Sequence, residues 1–156
     1  MQIDSLIVTR LGKLLELETD KIGKIEYKEE DRYSMPSGLY GFPDEKAYIF
    51  HPSENVTPFS WLQSEENTAL SFLILDPLLT YPDFQLTLSK ADLPDLELED
   101  GDEHKVYVIA TVPEDPSKIT LNLQGPLIFN LTKRLVQQVV IEDQDLQAPL
   151  LRQTST

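Results

Sequence analysis

The pattern of apolar and polar positions is that of many short extended segments arranged about residues 58–84. That stretch holds the chain's only tryptophan, Trp61, and an apolar run at residues 69–75 with one polar member, Ser71. Such a run predicts a strand buried on both faces. Asp76-Pro77 and Tyr81-Pro82 follow, and proline drives its neighbours out of helical geometry. In residues 83–88, Phe84, Leu86 and Leu88 alternate with Gln85 and Thr87, which predicts a second, half-buried strand. Further segments read as strands at residues 24–28, 33–36, 47–50, 105–112, 119–123, 127–131 and 135–141. The run 105–112 is almost wholly apolar and reads as central in its sheet. Residues 1–16 fit a helix or a strand, and the alternation of Leu15 and Leu17 with Glu16 and Glu18 favours the strand.

These segments number about eight to ten, the spacing of an all-β sandwich or barrel. Eleven prolines argue against long helices. Leu93, Leu96 and Leu98 predict a helical turn anchored by one face. The reading is of one small domain at residues 17–141. A 1–16 extension precedes it, and a polar tail, 142–156, carries a loose apolar patch at Leu150 and Leu151.

Composition changes the picture through charge. Thirteen Lys and Arg against 27 Asp and Glu give a net charge of −14. Such a surface repels phosphate backbones and attracts basic partners. Residues 92–103 alone carry seven acids and no base. Cysteine is absent, which excludes disulfides and thiolate metal sites and suits a reducing cytoplasm. No signal-peptide pattern or membrane-length apolar run is visible.

Candidate chemistry is thin. His51 and His104 are the only imidazoles. The acids before His104 lack the order of a calcium loop, so a solvated acidic turn is the better account. No serine sits in a nucleophile elbow. Asp76 and Asp83 are the candidates for paired carboxylates in acid–base work, but each adjoins a proline and suits a turn. Tyr27, Tyr33, Tyr40 and Tyr48 lack the basic groove of a base-stacking platform. Trp61 reads as core or as an interface anchor. The Gln63 amide would bond a sheet edge or a partner's backbone. No catalytic residue, cofactor or metal is expected, and no long apolar stripe is left over for self-association. Two other classes stay open: a β-barrel enzyme using Asp76, Asp83 or His51, and a carrier enclosing a small ligand.

Several spaced segments resemble the FliW family of flagellar assembly factors. They are IGKIE at residues 22–26, MPSGLYGF at 35–42, PFSWLQS at 58–64, Asp76-Pro77, YPDF at 81–84, NLQGPLIFN at 122–130 and QVV at 138–140. Gly125 stands where the pattern has a small residue such as alanine. The resemblance implies a small antiparallel β-barrel-like domain with one or two short helical turns. It implies a cytoplasmic, monomeric binding protein rather than an enzyme. Its partners would be flagellin and CsrA, a basic RNA-binding regulator whose repression of flagellin translation the free factor relieves. Candidate partner-binding residues are Phe59, Trp61, Leu62, Gln63, Ser64, Glu65, Glu66, Asp83, Asn122 and Asn130. Phe59, Trp61 and Leu62 would line an apolar groove for a flagellin helix. Glu65, Glu66 and the 92–103 acids would expel RNA from CsrA electrostatically.

Overall fold

The computed structural model describes residues 14–151, so the reading of residues 1–13 lies outside the described residues. Eleven strands follow one another: β1 (Leu14–Thr19), β2 (Gly23–Lys28), β3 (Arg32–Ser34), β4 (Ala47–Pro52), β5 (Ser60–Ser64), β6 (Ser71–Leu75), β7 (His104–Thr111), β8 (Thr120–Leu121), β9 (Leu127–Asn130), β10 (Leu135–Gln138) and β11 (Ala148–Pro149). Between them the described helical elements are single 3-10 turns, one of which, Pro94–Leu96, places Leu96 in the core as the leucine spacing predicts.

Seven strands close a barrel in the order β7-β6-β5-β4-β3-β10-β9, with β9 returning to β7. Closure is possible because β7 is long. One of its edges pairs with β6 at residues 108–110. The other is divided between β9, at His104 to Tyr107, and β8, at Ala110 and Thr111. All these pairings are antiparallel, but β10 meets β3 in parallel at Leu135 and Ser34. The all-β, barrel-like domain with short helical turns expected from the sequence is what forms, with one parallel contact at that seam. Strands so far apart in sequence are free to meet in either direction, whereas hairpin neighbours must be antiparallel.

The barrel interior is filled by Tyr48, Leu62, Ile74, Leu127, Phe129 and Val136, with Met35 and Leu39 closing one end. Phe129 sits in edge-on contact with Tyr33 and Tyr107, ring centroids 5.1 and 5.0 Å away. Such pairs add to area burial because ring edges are positive and ring faces negative. Leu127 to Asn130 are all buried, although alternate residues point outward. Their outward faces are buried because the barrel is wrapped.

Three segments do the wrapping. The β1–β2 hairpin lays Ile25 and Tyr27 over Ile49. Residues 86–98 lay Leu86, Leu88, Leu93 and Leu96 over Ile128 and Val139. Tyr81, Phe84 and Leu150 cover Leu75, Val108 and Leu121. Residues 83–88 therefore keep the alternating burial read from the sequence but form no strand; they are an extended strap with its leucines inward. The C-terminal segment is also corrected. It is fastened at residues 148–150: Ala148 pairs with Leu121, Leu150 N donates to Ile119 O, and Tyr81 Oη donates to Pro149 O at 2.5 Å, while Leu151 stays exposed. Residues 14–16 belong to the β1–β2 hairpin and not to an extension.

Truncating the ring at the centre of the barrel, Phe129→Ala, leaves a cavity that the surrounding strands are too constrained to collapse. It is expected to cost about 3–5 kcal/mol in chemical denaturation. A loss below about 1 kcal/mol would mean that the interior is not packed as described.

Candidate partner-binding surface

The 58–66 block is the centre of the sequence-derived site, and β5 distributes it over both faces of the barrel. Leu62 points inward and is fully buried. It therefore cannot line a surface groove, and that part of the expectation is corrected. Trp61 faces outward between His51 on β4 and Leu73 on β6, half-buried, with Phe59 packed nearby against the Leu75 cluster. Gln63 is buried too. Its Nε2 donates to Ser64 O at 2.9 Å and reaches Asn67 O and Thr68 O at 3.4 Å, so the amide organises the turn after β5. Buried Ser64 works in the same turn, accepting from Asn67 N at 3.0 Å and donating to Glu45 at 3.1 Å. Ser64 and the Gln63 Nε2 are thus built into their own chain, while Gln63 Oε1 is buried without a hydrogen-bond partner.

Glu65 and Glu66 part company. Glu65 is clamped: Tyr27 Oη donates to one carboxylate oxygen and Arg32 Nη2 to the other, each at 2.7 Å. This ties the outer hairpin to the barrel. Burial, then the hydrogen bond to Glu65, pushes the Tyr27 phenol up to about 12. Glu66 is exposed and carries no ion pair among the described residues.

The other candidates also divide. Asp83 is exposed at the rim of a cleft of about 200 Å³ with Tyr81, Phe84 and Leu123. Asn122 Oδ1 accepts from Gln124 N and Gly125 N, holding the turn before β9. Asn130 is fully buried, and every hydrogen-bonding position of its amide is taken. Its Nδ2 donates to Leu96 O and Asp102, and its Oδ1 accepts from Thr132 N and Lys133 N. It is a structural clip between the acidic segment and the β9–β10 turn.

That acidic segment is ordered from within. Asp92 accepts from Ser89, and Lys133 binds Glu97 O, Glu99 and Asp102 together. The backbone N–H of Glu99, then the side-chain amide of Asn130, holds the Asp102 carboxyl below its usual range. Sequence reasoning missed Lys133, Tyr27 and Arg32 because the charges they meet are distant in the chain. It also passed over Gln138, whose Oε1 accepts from Tyr40 N and whose Nε2 donates to Gly125 O, each at 2.9 Å. A Cβ on Gly125 would lie 2.8 Å from that Nε2, so glycine leaves room for the clamp.

The residues considered for acid–base chemistry do not converge. Asp76 accepts from Leu78 N, capping a turn, and lies 3.8 Å from Lys105. Asp83 is on the outer strap and His51 is on β4 beside Trp61. Among the described residues no group of three or more His, Cys, Asp or Glu is placed to hold a metal ion. No helix among them is long and apolar enough to cross a membrane.

A filled seven-stranded barrel wrapped by a hairpin and two straps, with Ser64 and Asn130 bonded within the chain, defines a small all-β protein. The family model "FliW protein" matches residues 16–150, and the chain belongs to the FliW family. It is 35% identical over 130 residues to the flagellar assembly factor FliW of Bdellovibrio bacteriovorus, covering 83% of this chain and 74% of that one. It is 37% identical over 130 residues to that of Alkaliphilus metalliredigens, covering 82% and 80%. A crystal structure of the flagellar assembly factor FliW superposes with a TM-score of 0.78 at 29% identity, over 90% of this chain and all of that one.

The Tyr27–Glu65 clamp has a pH signature. The folded state holds the phenol proton more tightly than the unfolded chain, whose pKa is 10.0. The stabilisation is therefore complete below pH 10 and is lost as pH rises through about 12. Tyr27→Phe is expected to reduce the fall of stability across that window, measured by urea melts. An unchanged slope would place the loss in other tyrosines.

Proposed function

We propose that this protein is a flagellar assembly factor that acts by binding and catalyses nothing. Membership of the FliW family carries the reading. On it, the cytoplasmic, monomeric protein sequesters newly made flagellin. Once freed, it binds the RNA-binding regulator CsrA and lifts its repression of flagellin translation.

What supports binding over turnover is the disposition of polar groups. Buried Ser64 and Asn130 and the Gln63 Nε2 are spent on the fold, and the exposed acids of the 92–103 segment lie in an ordered frame. Fixed carboxylates beside an RNA-binding face lower the local potential over about 8 Å at physiological salt, enough to expel phosphate without entering the RNA groove. Glu66 suits that role, as do Glu97 and Glu103 of the acidic segment. Glu65 is neutralised by Arg32 and contributes rigidity. On the flagellin side the half-exposed Phe59 and Trp61 are the anchors, and Asp83 is a polar neighbour on the strap.

The test is calorimetry of the purified chain with flagellin and with CsrA at two salt concentrations, together with RNA displacement from CsrA. Glu66→Lys is expected to weaken CsrA binding about three- to tenfold and to flatten its salt dependence. Trp61→Ala is expected to weaken flagellin binding about tenfold or more without unfolding the chain. If neither protein binds at micromolar concentration, the reading fails.

A further inference from the structure

Four of the chain's exposed large apolar side chains gather at one end of the barrel. Tyr40 is 66% exposed, Leu146 55%, Val140 48% and Phe42 39%. Tyr40, Val140 and Leu146 rim a groove of about 260 Å³ whose floor includes Leu39, Phe72 and Ile109, side chains continuous with the barrel core. Phe42 stacks edge-on against Phe72 at 5.6 Å. Room for this volume is about that of one or two large side chains.

The groove is held open by a dedicated frame. Gly38 has a φ of +66°, and a Cβ there would lie 2.6 Å from Phe42 O, so the turn carrying Tyr40 requires glycine. Gln138 fastens that turn to Gly125 O across the groove. The polar groups of Gln138 are thus occupied, and the strands of the closed ring are paired on both sides. Recognition here must come from side-chain burial. The segments that form the rim, residues 36–45, 122–126 and 138–147, carry Asp44, Glu45, Glu142, Asp143 and Asp145 and no Lys or Arg.

We propose that this groove is a second docking site, for an amphipathic helix that inserts an apolar stripe and presents Lys or Arg along its flanks. An exposed apolar patch whose flanking segments carry acids and no base is the complement of such a helix; Asp44, Glu142, Asp143 and Asp145 are the acids in play, since Glu45 is bonded to Ser64 and Asn67. The inference rests on the reading of this chain as a binding protein, but it concerns a different surface from Phe59 and Trp61.

A Leu/Lys amphipathic peptide of about five helical turns is the probe, followed by amide NMR of the full chain and by anisotropy. Supporting results are shifts centred on Tyr40, Phe72, Gly125 and Val140, and about a tenfold loss of affinity in Val140→Ser and in Leu146→Ser. Both side chains are exposed, so these variants keep the core, and both leave the charge unchanged. Trp61→Ser should bind as the parent does, and a Leu/Glu peptide should not bind. No binding of the Leu/Lys peptide, or equal binding by both serine variants, overturns the site. So does a loss confined to Trp61→Ser, which moves the helix to the flank and leaves the binding-protein reading standing.

Discussion

Closure of the barrel is the constraint on which the rest depends. A seven-stranded ring has no exposed edge within it, which removes the main route by which β-proteins associate wrongly. It also forces every strand to choose an inside and an outside. The inside is filled by aromatic and aliphatic side chains from all round the ring. The outside of a barrel this small would still expose Ile49, Leu75, Val108 and Ile128. The hairpin and the straps cover those residues, and this accounts for strands that are apolar on both faces.

The polar chemistry follows from the wrapping. Each cover needs fastening, and the fasteners are polar side chains, most of them buried or half-buried. Tyr27, Glu65 and Arg32 fix the hairpin, Asn130 and Lys133 fix the acidic segment, and Tyr81 fixes the C-terminal strand. Burying polar groups is unfavourable unless they are paired, so each site carries its own complement. The unpaired charge is left on the surface, where a net of −14 governs encounters with other molecules.

Much of this was legible in the residues. Apolar runs and alternation located β2, β4, β6, β7, β9 and β10, because burial on one or both faces writes itself directly into composition. The strap at 83–88 shows the limit. Period-two burial reports an extended chain lying on an apolar surface, and it is silent on whether a neighbouring strand supplies hydrogen bonds. The C-terminal segment failed for a related reason: a two-residue strand held by Ala148 and backbone bonds has almost no compositional signal. The site was less legible than the fold. Gln63, Ser64 and Asn130 have the chemistry of recognition, but a sequence does not say whether a polar group's partner is its own chain or another. Glu65 and Glu66 are adjacent and alike on paper, yet only one is tied down.

The parallel seam between β3 and β10 has a temporal meaning. Ser34 leaves the ribosome about a hundred residues before Leu135, and no ring exists until both are present. The early strands must wait, partly paired, for the last third of the polypeptide. Ring closure is thus a late event, set by the strand pair with the longest separation along the chain.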